Sequence, residues 1–166
     1  MGIRFAEKLK VLPVLAPADS TDTGSQFVDM EEIQWLTYLV SFGTMTSDST
    51  DTITVTVECS IATSTAATDI TLPFHYRLSS AVATDSMGTI TSVSTGSDGV
   101  AITATDDDMV LIIDVDPACI PVQTSYTAHK YVRLFFDMSA QLASNIIGAI
   151  AVIEPRYPGN SMNSST

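Results

Sequence analysis

Between Asp51 and Ile61 the chain alternates without a break: Ile53, Val55, Val57, Cys59 and Ile61 fall on one side, and Thr52, Thr54, Thr56, Glu58 and Ser60 on the other. Successive side chains of an extended strand point to opposite faces, so a period of two predicts a strand with one buried and one polar face. The same phase runs through Ile70, Leu72, Phe74, Tyr76 and Leu78, with Thr71, Pro73, His75 and Arg77 between them. Pro73 marks a sheet edge or a bulge there, because proline has no N–H to give a ladder. Residues 35–42 and 131–136 are aromatic and β-branched runs, the first bounded by Gly43 and the second by residues 139–145. Residues 109–115 and 146–153 are almost continuously apolar, the pattern of strands buried on both faces.

Shorter strand candidates are 11–15, 27–30, 89–93 and 100–103, and turn-rich segments cover 44–51, 79–87, 95–99, 105–108 and 117–128. Eight to ten short strands separated by such loops predict an all-β fold, an antiparallel β-sandwich or jelly roll. Helical turns are expected only within 3–10 and near 31–34. The organisation that follows is an N-terminal arm (1–18), a sandwich domain (19–158) and a flexible tail (159–166). The common phase of the strands predicts a core of Ile53, Val55, Val57, Phe74, Tyr76, Leu111, Ile113, Val132, Leu134 and Ile150.

A chain of 166 residues suffices for one core. Hydrophobic residues make up 45% of it, yet no apolar run approaches the roughly 18 residues of a membrane span. Nineteen acidic residues against seven basic ones give a net charge of −12. That excludes nucleic acid and anionic membrane as partners, since both are held by Lys and Arg. Arg4, Lys8 and Lys10 against Glu7 make the first ten residues +2 and leave −14 for the rest. Ile3, Phe5 and Leu9 interleave with those cations, so the arm is either a solvated terminus or a device that docks on a neighbouring chain. Ala16-Pro17-Ala18 mimics a leader cleavage site, but the apolar stretch before it is short and carries Pro13, and Ala6 stands where myristoylation needs Ser or Thr. Cys59 and Cys119 read as free thiols, consistent with folding in a reducing cytosol.

Candidate chemistry is sparse. His75 falls on the polar side of its strand and His129 in a loop, neither framed by a nucleophile elbow or an oxyanion loop. Asp106, Asp107 and Asp108 with Asp114 and Asp116 lack the ligand spacing of a calcium loop and read as a solvated hairpin. Paired carboxylates for glycoside hydrolysis need sugar-stacking aromatics, and Trp35 and Tyr38 sit in an apolar run that reads as core. Glycines occur singly, in no phosphate-binding pattern. No catalytic residue, cofactor or metal is expected. Thr52, Thr54 and Thr56 supply hydroxyls without charge, a face suited to water or to burial against another protein.

The order Gln26-Phe-Val-Asp-Met30, Gln34-Trp-Leu-Thr-Tyr-Leu-Val-Ser-Phe-Gly43, Thr52 to Ile61 and Phe74-His-Tyr-Arg-Leu78 resembles the small structural proteins of tailed-bacteriophage virions. Leu111-Ile-Ile-Asp-Val-Asp-Pro117, Lys130-Tyr-Val-Arg-Leu134, Gly148-Ala-Ile-Ala151 and Pro155-Arg-Tyr157 are similar to theirs as well. The resemblance spans about residues 27–157 and rests on strand patterning. It implies a jelly-roll-like decoration, or cement, protein on the capsid surface, assembled in the host cytoplasm, which binds the major capsid protein and itself as a homo-oligomer. A neck or tail protein of the same virion, or a β-sandwich recognition module for a glycan or host surface, are the alternatives. The candidate interface residues are Ile3, Arg4, Phe5, Lys8, Leu9, Lys10, Thr52, Thr54 and Thr56.

Overall fold

The period-two segments form strands, and all the pairings between them are antiparallel. A computed structural model of the protein describes residues 8–19, 23–45, 52–63, 69–79, 86–94, 99–103, 106, 108–121, 129–138 and 145–157. Residues 1–7 of the expected arm, the tail 159–166 and most of the turn-rich segments lie outside the described residues.

Among the described residues twelve strands make two sheets. They are β1 (Lys10–Asp19), β2 (Thr23–Gly24), β3 (Val28–Asp29), β4 (Ile33–Met45), β5 (Thr52–Ser60) and β6 (Ile70–Thr71), followed by β7 (Phe74–Leu78), β8 (Thr91–Val93), β9 (Val100–Thr103), β10 (Val110–Val115), β11 (Tyr131–Met138) and β12 (Asn145–Pro155). The first sheet has the order β1-β12-β4-β10-β7-β8, and the second β2-β11-β5-β6, with β3 on β11 and β9 on β5. A 3-10 turn, Pro117–Cys119, follows β10, with the Asp116 carboxylate accepting from the Ala118 N–H. The helical turn expected near 31–34 is instead a two-residue turn at Glu31 and Glu32, closed by the Ile33 N–H on the Met30 carbonyl, with Ile33 and Gln34 already in β4.

The two sheets bury their facing sides as an antiparallel β-sandwich. Leu36, Tyr38, Val40, Phe42, Leu111, Ile113, Ile147, Ala149, Ala151 and Ile153 come from the first sheet; Ile53, Val55, Val57, Cys59, Ile102, Val132, Leu134 and Phe136 come from the second. Each buried Val, Leu, Ile or Phe contributes about 1.5–3 kcal/mol relative to exposure. The Tyr38 hydroxyl, wholly buried, donates to the Val132 carbonyl at 3.1 Å and so ties one sheet to the other. Burial pushes that phenol far above its ordinary range.

Several expectations need correction. Ile150 is not core: in β12 the inward phase belongs to Ile147, Ala149, Ala151 and Ile153, which leaves Ile150 on the outer face, 38% exposed. Tyr76 is half-buried, packed at the margin of the core. Residues 109–115 and 146–153 are not buried on both faces, since Val110 and Ile146 are exposed and Ile112 and Val152 half-buried. Gly43 does not end its strand; it lies inside β4, where a side chain would begin 3.2 Å from Ile146 Cβ. The segment 70–78 is two strands, with Leu72 and Pro73 carrying the chain from β6 in the second sheet to β7 in the first. Residues 10–18, assigned to the arm, form the edge strand β1 on β12.

Candidate functional site

The sequence-derived interface residues do not converge. Ile3, Arg4 and Phe5 lie outside the described residues. Lys8 is exposed, Leu9 half-buried, and Lys10 opens β1 opposite Ile153 at the edge of the first sheet. Thr52, Thr54 and Thr56 face outward from β5 in the second sheet and are half-buried. Gly99, at φ 79°, explains part of that cover: a Cβ there would lie 2.8 Å from the Thr56 methyl, 3.0 Å from the Thr54 methyl and 2.5 Å from the Val55 carbonyl oxygen. Two of the threonines therefore roof their own sheet with methyl groups against the backbone of a neighbour.

Beyond the threonines the same outer face is ionic. Arg133 on β11 bonds Glu58 of β5 through Nε at 3.0 Å and Asp69 through its terminal nitrogen. Its guanidinium carbon lies 4.9 Å from the Phe27 ring centre and 5.5 Å from that of Phe135. Gly24, opposite Phe135, admits the guanidinium, since a Cβ there would fall 2.8 Å from an Arg133 nitrogen. The Asp69 side chain is 6% exposed, and its Oδ1 has no bond among the described residues. Burial pushes the Glu58 carboxyl above the usual range, against the pull of Arg133 and with the push of Asp69. Nearby, Lys130 reaches Asp29 at 3.2 Å and Glu31 at 3.3 Å, and these bonds hold its ammonium above the usual range.

The outer face of the first sheet has the opposite character. Antiparallel register lines up Pro13, Ile150, Leu39 and Ile112 across β1, β12, β4 and β10, with Arg77 of β7 closing the row. Beside it run Val11, Val152, Thr37, Asp114, His75 and Ser92 on one side, and Gly148, Ser41 and Val110 on the other. Val11, Pro13, Val110 and Ile150 are exposed, and Leu39, Ile112 and Val152 half-buried. No charged residue occurs in 11–15, 36–43, 110–113 or 146–153.

At one end of this face is a groove of about 390 Å³ lined by Trp35, Pro73, Phe74, His75, Ser92, Val93, Ser94, Asp114, Asp116 and Cys119. Trp35, expected in the core, is 38% exposed. Regular alternation along β4 leaves it on the outward side with Thr37, while Leu36 and Tyr38 point in. Asp114 Oδ1 accepts from Thr37 Oγ1 at 2.6 Å and from Trp35 Nε1 at 3.4 Å, and Ser92 Oγ and His75 Nδ1 are 2.8 Å apart. Among the bonds described, this Ser-His contact has no acid on the second imidazole nitrogen. Burial and Asp116 push the Cys119 thiol up, away from thiolate chemistry. Asp106 turns back to accept from the Thr103 N–H and hydroxyl. No group of three His, Cys, Asp or Glu side chains among the described residues is placed to hold a metal ion.

No described helix is long and apolar enough to cross a membrane. Compared with protein-family models, curated proteins and solved structures, the chain finds no match.

Proposed function

We propose that this chain is a structural virion protein that decorates and stabilises a tailed-phage capsid, binding the major capsid protein and further copies of itself through the outer face of its first sheet. The resemblance in strand patterning supports the virion setting. The observation that carries the assembly role is the row Pro13, Ile150, Leu39, Ile112 with Val11, Val152 and Val110 beside it, an apolar strip four strands wide whose ionic neighbours, Asp114 and Arg77, stand at its β10–β7 end. A contiguous apolar patch framed by polar residues is what protein contact surfaces present. A body of net charge −12 also approaches a neighbour most cheaply where neither side has a carboxylate to desolvate. The role asks for no catalysis, only for area.

The test is particle binding with Ile150→Asp. This outward side chain is already partly in water, so the variant keeps the parent's circular-dichroism spectrum and melting behaviour while its occupancy on purified particles falls at least about tenfold, the equivalent of roughly 1.4 kcal/mol. Undiminished occupancy overturns the assignment of this face. Absence of the protein from particles by mass spectrometry overturns the virion role.

A further inference from the structure

We infer that the groove beside Trp35 is a binding site for a neutral sugar ring, the end or branch of a glycan. Its residues differ from those of the assembly strip, so the two readings stand or fall separately. Four strands and the 3-10 turn build it: Trp35 from β4, Asp114 from β10, His75 and Phe74 from β7, Ser92 and Val93 from β8, and Cys119 from the turn. Its volume of about 390 Å³ lies in the range of small-ligand clefts, roughly 300–1,000 Å³.

The lining selects the ligand by chemistry. Pro73, Phe74 and Val93 contribute apolar surface, and the partly exposed indole of Trp35 offers a ring for C–H groups to stack on. Around them stand groups with one bond already made inside the protein and one side turned to other use. Asp114 Oδ1 is held by Thr37 and Trp35, and Oδ2 has no bond described; Asp116 Oδ1 holds the Ala118 N–H; His75 Nδ1 is held by Ser92, which leaves Nε2. Such internal bonds fix the orientation of each polar group before a ligand arrives, which lowers the cost of binding.

An anion is disfavoured by two carboxylates and the net charge of −12. A wholly apolar ligand would strand Asp114, Asp116 and His75 without partners. A guanidinium or ammonium group would satisfy the carboxylates and the indole face, but it only donates, and the Ser92–His75 pair keeps one free donor in either tautomer, the imidazole Nε2–H or the seryl O–H, which a cation leaves without an acceptor. A hydroxyl both donates and accepts. A ring bearing several hydroxyls on an apolar face therefore uses every class of group in the groove.

Trp35 is the sole tryptophan of the chain, so its emission reports on the groove alone. The full-length protein is titrated with a panel of neutral hexoses, N-acetylhexosamines and short oligosaccharides, with saturation-transfer NMR on the same sugars as a second readout. At least one sugar is expected to give saturable emission change and transfer, with affinity falling about tenfold in His75→Ala and in Asp114→Asn, neither of which touches the buried core. Circular dichroism of both variants checks that they fold. No transfer from any sugar of the panel overturns the inference. So does a response to an arginine-rich peptide alone, or sugar binding that neither variant weakens.

Discussion

The Arg133 cluster sets one guanidinium between two carboxylates, so with both ionised the half-buried triad carries one negative charge more than the guanidinium balances. Burial raises the Glu58 carboxyl pKa, which means that the folded protein holds that proton more tightly than the unfolded chain. Between the ordinary glutamate value and the raised one, the native state binds more protons, so this group's contribution to stability falls as pH rises and the penalty persists above that window. Glu58→Gln keeps an acceptor for Arg133 Nε and removes the surplus charge. It is expected to be as stable as the parent or up to about 1 kcal/mol more stable at neutral pH, with the difference shrinking as pH falls through the window. Urea midpoints of both proteins from about pH 4 to 8 measure this, and parallel curves contradict it. Arg133→Met in the same series leaves Glu58 and Asp69 buried without a cation and is expected to lose about 3–5 kcal/mol.

Phase decides what a strand does in this molecule, and β12 illustrates it best. Ile147 and Ile150 are the same residue type three positions apart, one wholly buried and the other 38% exposed. Aspartate at 147 places a carboxylate between the sheets and is expected to unfold the protein, whereas aspartate at 150 leaves its melting temperature within about 3 °C of the parent's. Differential scanning calorimetry of the two variants separates them, and equal losses would contradict the assigned phase. Alternation with threonine or charge made β5, β7 and β11 legible in the sequence, because each polar residue marks the solvent side. In residues 146–153 no polar side chain marks a side, so the outward position of Ile150 had no local signal. Trp35 was legible in principle, sharing parity with Thr37 and Ser41, but the apolar run around it outweighed that hint. The split at Pro73 shows the same limit: proline announced an interruption, and only the partner strands decide that the chain changes sheets there. The groove was illegible for a further reason, since it gathers one or two residues from each of four strands that meet only through tertiary pairing.

The whole molecule is two-faced. Ion pairs and cation-ring contacts gather on the second sheet, and the outer side of the first presents apolar surface. Strand order within the first sheet also has a consequence for how the protein comes into being. β12 lies between β1 and β4, and its Ile147 pairs with Phe42 roughly a hundred residues earlier, a separation of the kind that slows folding. Stopped-flow refolding is expected in milliseconds to seconds, and relaxation within tens of microseconds would show that β12 is not required for the rate-limiting step. On the ribosome, at about 5–20 residues per second, β4 waits roughly 5–20 s for the strand that covers its edge. Throughout that wait its bare N–H and C=O groups, and those of β1, are open to the same strands of other nascent chains.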